Sequence, residues 1–348
     1  MTLKLGELET LKTGTLEEIK QLITTSKILK NKYNTWPPLH IVCKYNATIS
    51  ILNLFISKDC SLTEKNKDGW TPLHLVCKYC KSYQFIKLLV ENGSDVNAET
   101  NTQWTALHFV CRYIQTNTYE IVKYLIGCGA NVTDTNIEGY TPLHFICQIN
   151  PKRKIITALI KAGANCNAQN NASLSPFHLL CANFAKVKYV KLLLQNGANP
   201  NLINRNNSTP FHFLAINKKI EIGVVRLLFG QGADPEIKNK DKTPYEIAKK
   251  RKNQVVLLEI KQWKNPKKFT SHIDSVINKD LDTSESDEKI LNEKISKKKL
   301  KKKIKKNILY LNQSKQRWRE EVNNRLKLEQ LYQKAKRENI KLKKSLEC

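Results

Sequence analysis

Long apolar runs are missing from this sequence. No segment approaches the roughly 20 apolar residues needed to cross a bilayer as a helix. The opening stretch, Met1-Thr2-Leu3-Lys4-Leu5-Gly6-Glu7, lacks the basic patch followed by an apolar run that marks an export signal. These absences predict an intracellular, soluble chain with no membrane span, cytoplasmic or nuclear. Glycine and proline also run out. No glycine follows Gly232 and no proline follows Pro266, so nothing in the last part of the chain obliges a helix to stop. A single combination of nucleophile, base and orienting group is absent as well. Gly230-Gln231-Gly232 and Gly127-Cys128-Gly129 each follow an apolar helical run instead of a strand, and neither continues into a nucleotide-binding sequence. No catalytic residues and no cofactor are expected.

What is present is a phrase that returns six times. Pro38-Leu39-His40, Thr71-Pro72-Leu73-His74, Thr105-Ala106-Leu107-His108, Thr141-Pro142-Leu143-His144, Ser175-Pro176-Phe177-His178 and Thr209-Pro210-Phe211-His212 follow at steps of 34, 34, 36, 34 and 34 residues. A seventh copy, Thr243-Pro244-Tyr245, has Glu246 where the histidine falls due. A fixed period of this length means stacked supersecondary units, none of which can bury its apolar face alone. With 41% hydrophobic residues the chain can form a large core, one that grows lengthwise.

Within a unit, Thr71 reads as a hydroxyl N-cap and Pro72 as the first helical residue, where a missing N–H costs nothing. A second apolar run, Phe85-Ile86-Lys87-Leu88-Leu89-Val90, ends at Asn92-Gly93, and Gly93 can take the left-handed conformation that closes a helix. The stop recurs at Gly129, Gly163, Gly197 and Gly232. Five of the ten cysteines, Cys43, Cys77, Cys111, Cys147 and Cys181, stand three residues after the repeat histidine, which reads as a packing position for a small hydrophobe and not as a disulfide framework. The His-x-x-Cys pairs could begin a zinc site only with ligands from a neighbouring unit, and a catalytic Cys-His pair would occur once, not five times. No metal is expected.

These motifs resemble the ankyrin repeat family over about residues 3–265. The resemblance implies an all-α solenoid of helix-turn-helix units joined by hairpin-like turns, a histidine that hydrogen-bonds backbone between units, and a protein-binding role without enzymatic activity. The chain then divides into an N-terminal capping repeat (1–31), repeats (32–241), a C-terminal capping repeat (242–268), an acidic linker (269–288) and a basic helical or coiled-coil tail (289–348). The N-terminal cap would use Leu8, Leu11, Leu16, Ile19, Leu22 and Ile23, and Lys249-Lys250-Arg251-Lys252 would give the C-terminal cap its polar face. The glycine expected before each Thr-Pro step is present at Gly69 and Gly139. It is replaced by Asn207 and Asp241, which tolerate positive φ, and by Gln103 and Ser173, which do so less readily.

The variable positions carry the functional reading. Before the Thr-Pro step stand Trp36, Trp70, Trp104 and Tyr140, then Leu174, Ser208 and Lys242. Beyond the repeat cysteine stand Lys44-Tyr45, Lys78-Tyr79 and Arg112-Tyr113, then Gln148-Ile149 and Ala182-Asn183. In the resembled family both places face a concave groove and contact partners, so a cationic and aromatic stripe over the first four units is expected to bind a protein with an acidic surface. Aromatic and arginine side chains concentrate interface energy. The competing reading is that the tryptophans pack on adjacent turns and the Lys-Tyr pairs are ordinary amphipathic ends.

The net charge of +28 is uneven, with 29 basic and 18 acidic residues up to position 248 against 30 and 13 beyond it. Lys297-Lys298-Lys299-Leu300-Lys301-Lys302-Lys303-Ile304-Lys305-Lys306 is the densest block. Residues 286–348 hold 17 Lys and 4 Arg, so any nucleic-acid contact there would be phosphate-directed and sequence-blind. Nuclear import, contact with an anionic membrane surface, self-association of the tail and a plain solvated helix are the other readings of the same block.

Overall fold

The computed structural model describes residues 5–25, 36–45, 47–113 and 118–264. The acidic linker and the basic tail read from the sequence lie outside the described residues. The chain separates into two compact units, one built from the residues up to Phe184 with Gln195–Ala198, the other from Ala185–Leu194 with Asn199 onward.

In the first unit the helices come in pairs: α1 (Leu5–Thr13) with α2 (Leu16–Thr25), α3 (Pro38–Tyr45) with α4 (Ile49–Ile56), α5 (Pro72–Leu75) with α6 (Tyr83–Glu91), α7 (Ala106–Tyr113) with α8 (Thr118–Gly127), and α9 (Pro142–Ile149) with α10 (Arg153–Lys161), followed by α11 (Pro176–Asn183). Helix α5 runs directly into a π-helical turn, Val76–Cys80, closed by Lys81 in the left-handed region at φ 55. The second unit holds α12 (Val187–Gln195) except its last residue, with α13 (Pro210–Ile216), α14 (Ile222–Gly230), α15 (Pro244–Arg251) and α16 (Gln254–Lys264). No strand occurs among the described residues. An isolated antiparallel bridge joins Asn239 and Lys242.

The repeat phrase explains the pairing. Thr141 and Ser175 each accept the N–H of the histidine three residues on, through their hydroxyls, at 3.4 Å. Each histidine returns the favour by accepting the N-cap N–H at Nδ1, at 3.0 and 3.1 Å. This reciprocal cap satisfies donors that a helix start leaves open. Glu246 does the same work in the last copy, accepting the Thr243 N–H at 2.7 Å, and Glu18 does it for Thr15 at the start of α2.

First helices pack in one row (α1, α3, α5, α7, α9, α11) and second helices in another (α2, α4, α6, α8, α10), with the apolar layer between them. Cys43, Cys77, Cys111, Cys147 and Cys181 are buried in that layer as free thiols. Burial pushes the Cys77, Cys111 and Cys181 thiols far up from their ordinary range. In the N-terminal pair Leu8, Leu11, Ile19 and Ile23 are buried, whereas Leu16 and Leu22 are half-exposed. In the second unit Arg226 on α14 makes a bidentate pair with the buried Glu259 on α16, at 2.9 and 2.7 Å.

The turns follow the sequence except in one place. Gly69 and Gly139 have φ 78, and Gln103, Ser173 and Asn207 adopt φ 59, 55 and 56 in the same role. In the last turn the left-handed residue is Lys240 at φ 49, not Asp241. Asn239 and Lys242 exchange both backbone hydrogen bonds at 2.9 Å, closing a tighter two-residue turn than the Asn66 to Trp70 turn.

Candidate functional site

The turn residues of the stripe are pinned by backbone bonds. Trp70 donates its N–H to the Asn66 side chain at 2.9 Å, Trp104 to Thr100 at 3.0 Å, and Tyr140 to Asn136 at 2.8 Å. Their carbonyls are held from the preceding repeat: His40 Nε2 reaches the Trp70 carbonyl at 2.9 Å and His108 Nε2 the Tyr140 carbonyl at 3.0 Å. In His74 and His108, Nδ1 accepts from the N-cap amide and Nε2 faces a carbonyl, a pairing only the neutral Nε2–H tautomer satisfies. Burial holds His74, His108 and His144 down at about 4, against the smaller opposing pull of the carbonyls they bond. With both nitrogens committed, these rings have no lone pair left for a metal. Among the described residues no group of three or more His, Cys, Asp or Glu side chains is arranged to hold one.

The ten predicted residues form a continuous ladder in the first unit. The Lys44 ammonium lies 4.9 Å from the Trp36 ring centroid, 4.6 Å from Tyr45 and 5.6 Å from Tyr79 of the next repeat. One repeat on, Lys78 lies 4.7 Å from Trp70, 5.2 Å from Tyr79 and 5.4 Å from Tyr113. Arg112 continues the pattern, 5.7 Å from Tyr113 and 5.3 Å from Phe145. Each such contact is worth about 0.5–1 kcal/mol at an exposed site and more where water is excluded. Tyr45 and Tyr79 stay exposed, at 52% and 43%, while the tryptophans are half-buried. Among the described residues no carboxylate forms an ion pair with Lys44, Lys78 or Arg112.

Of the two sequence readings of the stripe, packing is what the geometry displays. The tryptophans do pack: Trp70 and Trp104 lie 4.7 and 5.0 Å from Phe109, and Trp104 and Tyr140 lie 4.8 and 5.2 Å from Phe145. The tyrosines and cations top this packed layer. Phe109 and Phe145 escaped the sequence reading because each follows the repeat histidine at a position that reads as plain core. The available signal was the change at that position from Ile41 and Leu75 in the two preceding repeats to an aromatic ring, a change that recurs later at Phe213. Lys12, 5.6 Å from Tyr45, extends the ladder into α1 and was also missed.

Two further features fell outside the sequence reading. Cys77 and Cys80 stand at Cys-x-x-Cys spacing in the π-helical turn that carries Lys78 and Tyr79, and Cys80 donates its thiol to the Cys43 carbonyl at 2.8 Å. Burial raises Cys80 to about 11, so it is a thiol and not a thiolate near neutral pH. On the second-helix row, Tyr83, Tyr119, Tyr124 and the exposed Cys128 line an open cleft of about 950 Å³.

Comparison with known proteins bears on the whole arrangement. Residues 10–100, 39–136, 77–170, 107–204 and 177–260 match the family described as ankyrin repeats (3 copies). The solved ankyrin repeat domain of Bcl-3, described as a unique member of the IkappaB protein family, is 26% identical and superposes with a TM-score of 0.50. That match covers 63% of this chain and 97% of the other. No curated protein matches the sequence.

Proposed function

This chain belongs to the ankyrin-repeat family, and from that premise we propose that it is a non-enzymatic interaction module whose first-unit stripe binds a partner protein. The observation that carries the proposal is the ladder itself. Three cations without a carboxylate partner among the described residues alternate with rings, two of them exposed tyrosines, on a backbone fixed from both sides. Such a surface offers rigid aromatic area and charge at little entropic cost, the combination that concentrates binding energy in interfaces. A partner with acidic groups would take the ammonium and guanidinium ions while its apolar atoms cover the tyrosine faces.

The stripe also has an end that fits a localised site. After Tyr140 the corresponding turn positions hold Leu174, Ser208 and Lys242, and the Lys-Tyr pairs give way to Gln148-Ile149 and Ala182-Asn183. The test is comparative capture from a nuclease-treated lysate with the full chain and with a Lys78→Ala/Tyr79→Ala variant. A protein held by the first and lost by the second supports the proposal. Equal recovery with both removes the stripe from the interface.

A further inference from the structure

Resting on the stripe as the docking face, we infer that its occupant is an acidic segment of a partner in polyproline II conformation, with a carboxylate at every third position. The ladder puts an upper limit on its repeat distance. Lys44 and Lys78 share the Tyr79 ring at 5.6 and 5.2 Å from its centroid, so the two ammonium ions are separated by no more than the sum of those distances. Lys78 and Arg112 share Tyr113 in the same way, at 5.4 and 5.7 Å. Helices packed side by side, as α3, α5 and α7 are, lie about 8–10 Å apart.

A bound chain must present carboxylates at that spacing on one face. Polyproline II does so naturally: with three residues per turn and about 3.1 Å rise, every third side chain returns to the same face about 9 Å along. A β-strand returns a side chain to the same face about every 6.6 Å and so drifts out of register with the three cations. An α-helix matches only with residues seven apart, and a helical ligand is held by apolar anchors in an apolar groove, whereas here the exposed Tyr45 and Tyr79 rings each adjoin a cation. Polyproline II ligands dock on rows of aromatic rings, which Tyr45, Tyr79 and Tyr113 supply between the cations.

The experiment measures binding of three labelled peptides of about twelve residues to the full chain by fluorescence anisotropy. One repeats Glu-Pro-Ser, one has the same composition with its glutamates in a single block, and one is a helix-forming peptide with glutamates at every seventh position. The inference expects the repeating peptide to bind about tenfold tighter than the block, with Lys78→Met costing it most of that margin and the block little. Lys78→Met keeps the apolar stem on the rings, and an unchanged thermal midpoint shows that the fold is intact. Equal binding of the repeat and block peptides, both weakened by Lys78→Met, overturns the register and leaves the stripe as an acidic-partner site. Tighter binding of the helical peptide, or no binding of the repeating one, overturns the inference. Indifference of every peptide to Lys78→Met overturns both readings of the stripe.

Discussion

The Lys44 ammonium sits 5.6 Å from the Tyr79 ring centroid, one repeat further along the chain, and the same geometry returns between Lys78 and Tyr113 at 5.4 Å. One side chain therefore serves two repeats. Its ammonium lies against rings of both, and among the described residues no carboxylate pairs with it.

The first prediction concerns the separation of binding from stability. Tyr79 is exposed and holds Lys44 and Lys78 over its ring, so Tyr79→Ala should cost about 1–2 kcal/mol of unfolding free energy, while costing a stripe-bound partner about tenfold or more in affinity. Trp70→Ala should behave differently, because Trp70 packs 4.7 Å from Phe109, and its loss should destabilise by about 3 kcal/mol as well as weaken binding. Denaturant melts alongside affinity measurements separate the two.

The second prediction is an acid sensitivity written by the repeat histidines. His74, His108 and His144 are held at about 4 in the folded chain, against about 6.5 when exposed. The unfolded chain therefore binds more protons between those values. Stability is complete above about pH 6.5 and falls as pH drops toward 4, by up to about 1.4 kcal/mol per pH unit for each histidine. Thermal melts across this range check it, and His108→Gln should flatten the slope by less than about one third, since burial lowers His212 as well.

The third prediction follows from the turns. A Cβ on Gly69 would lie 2.5 Å from the Asn101 amide nitrogen and 2.5 Å from its side-chain oxygen. Asn101 also clamps the earlier turn, donating its Nδ2 hydrogen to the Lys67 carbonyl at 2.8 Å. Gly69→Ala should cost about 1–3 kcal/mol through this crowding and the positive φ. Gln103→Gly should be neutral or slightly stabilising, since Gln103 already holds φ 59.

That contrast shows how much of the fold was legible and what was not. Thr71-Pro72 and Asn92-Gly93 announce helix ends because the chemistry is local. Gln103 in place of glycine looked anomalous, yet it holds φ 59 in the same turn role, and the next turn carries Ile137 where the turn after Gly69 carries Asn101. Glu246, read as a decayed histidine, still completes the cap of its own helix at 2.7 Å. The stripe residues were found by their variation around a fixed frame. Phe109 and Phe145 were hidden because an aromatic ring in a core position is indistinguishable from packing until its neighbours are known.

The fourth prediction is a reactivity order among the thiols. Cys128 is exposed, whereas the repeat cysteines are buried and held far up in pKa. Among the described cysteines, iodoacetamide at neutral pH should modify Cys128 first, with Cys77, Cys111, Cys147 and Cys181 reacting only on unfolding. Peptide mass mapping reads the order directly.

The fifth concerns the end of the second unit. Glu259 is buried beneath Arg226, so Glu259→Ala leaves a guanidinium without its bidentate partner and should cost about 3–5 kcal/mol, less whatever solvent recovers at the partly exposed Arg226. A double-mutant cycle with Arg226→Ala isolates the pair.

The measurement that tests the central claim most directly is amide hydrogen exchange of the full chain with and without a captured partner. The account predicts new protection concentrated at residues 36–45, 70–80 and 104–113, lost together with binding in Lys78→Ala/Tyr79→Ala. Protection confined to the second-helix row or to the second unit, with the stripe exchanging as in the free chain, would contradict it.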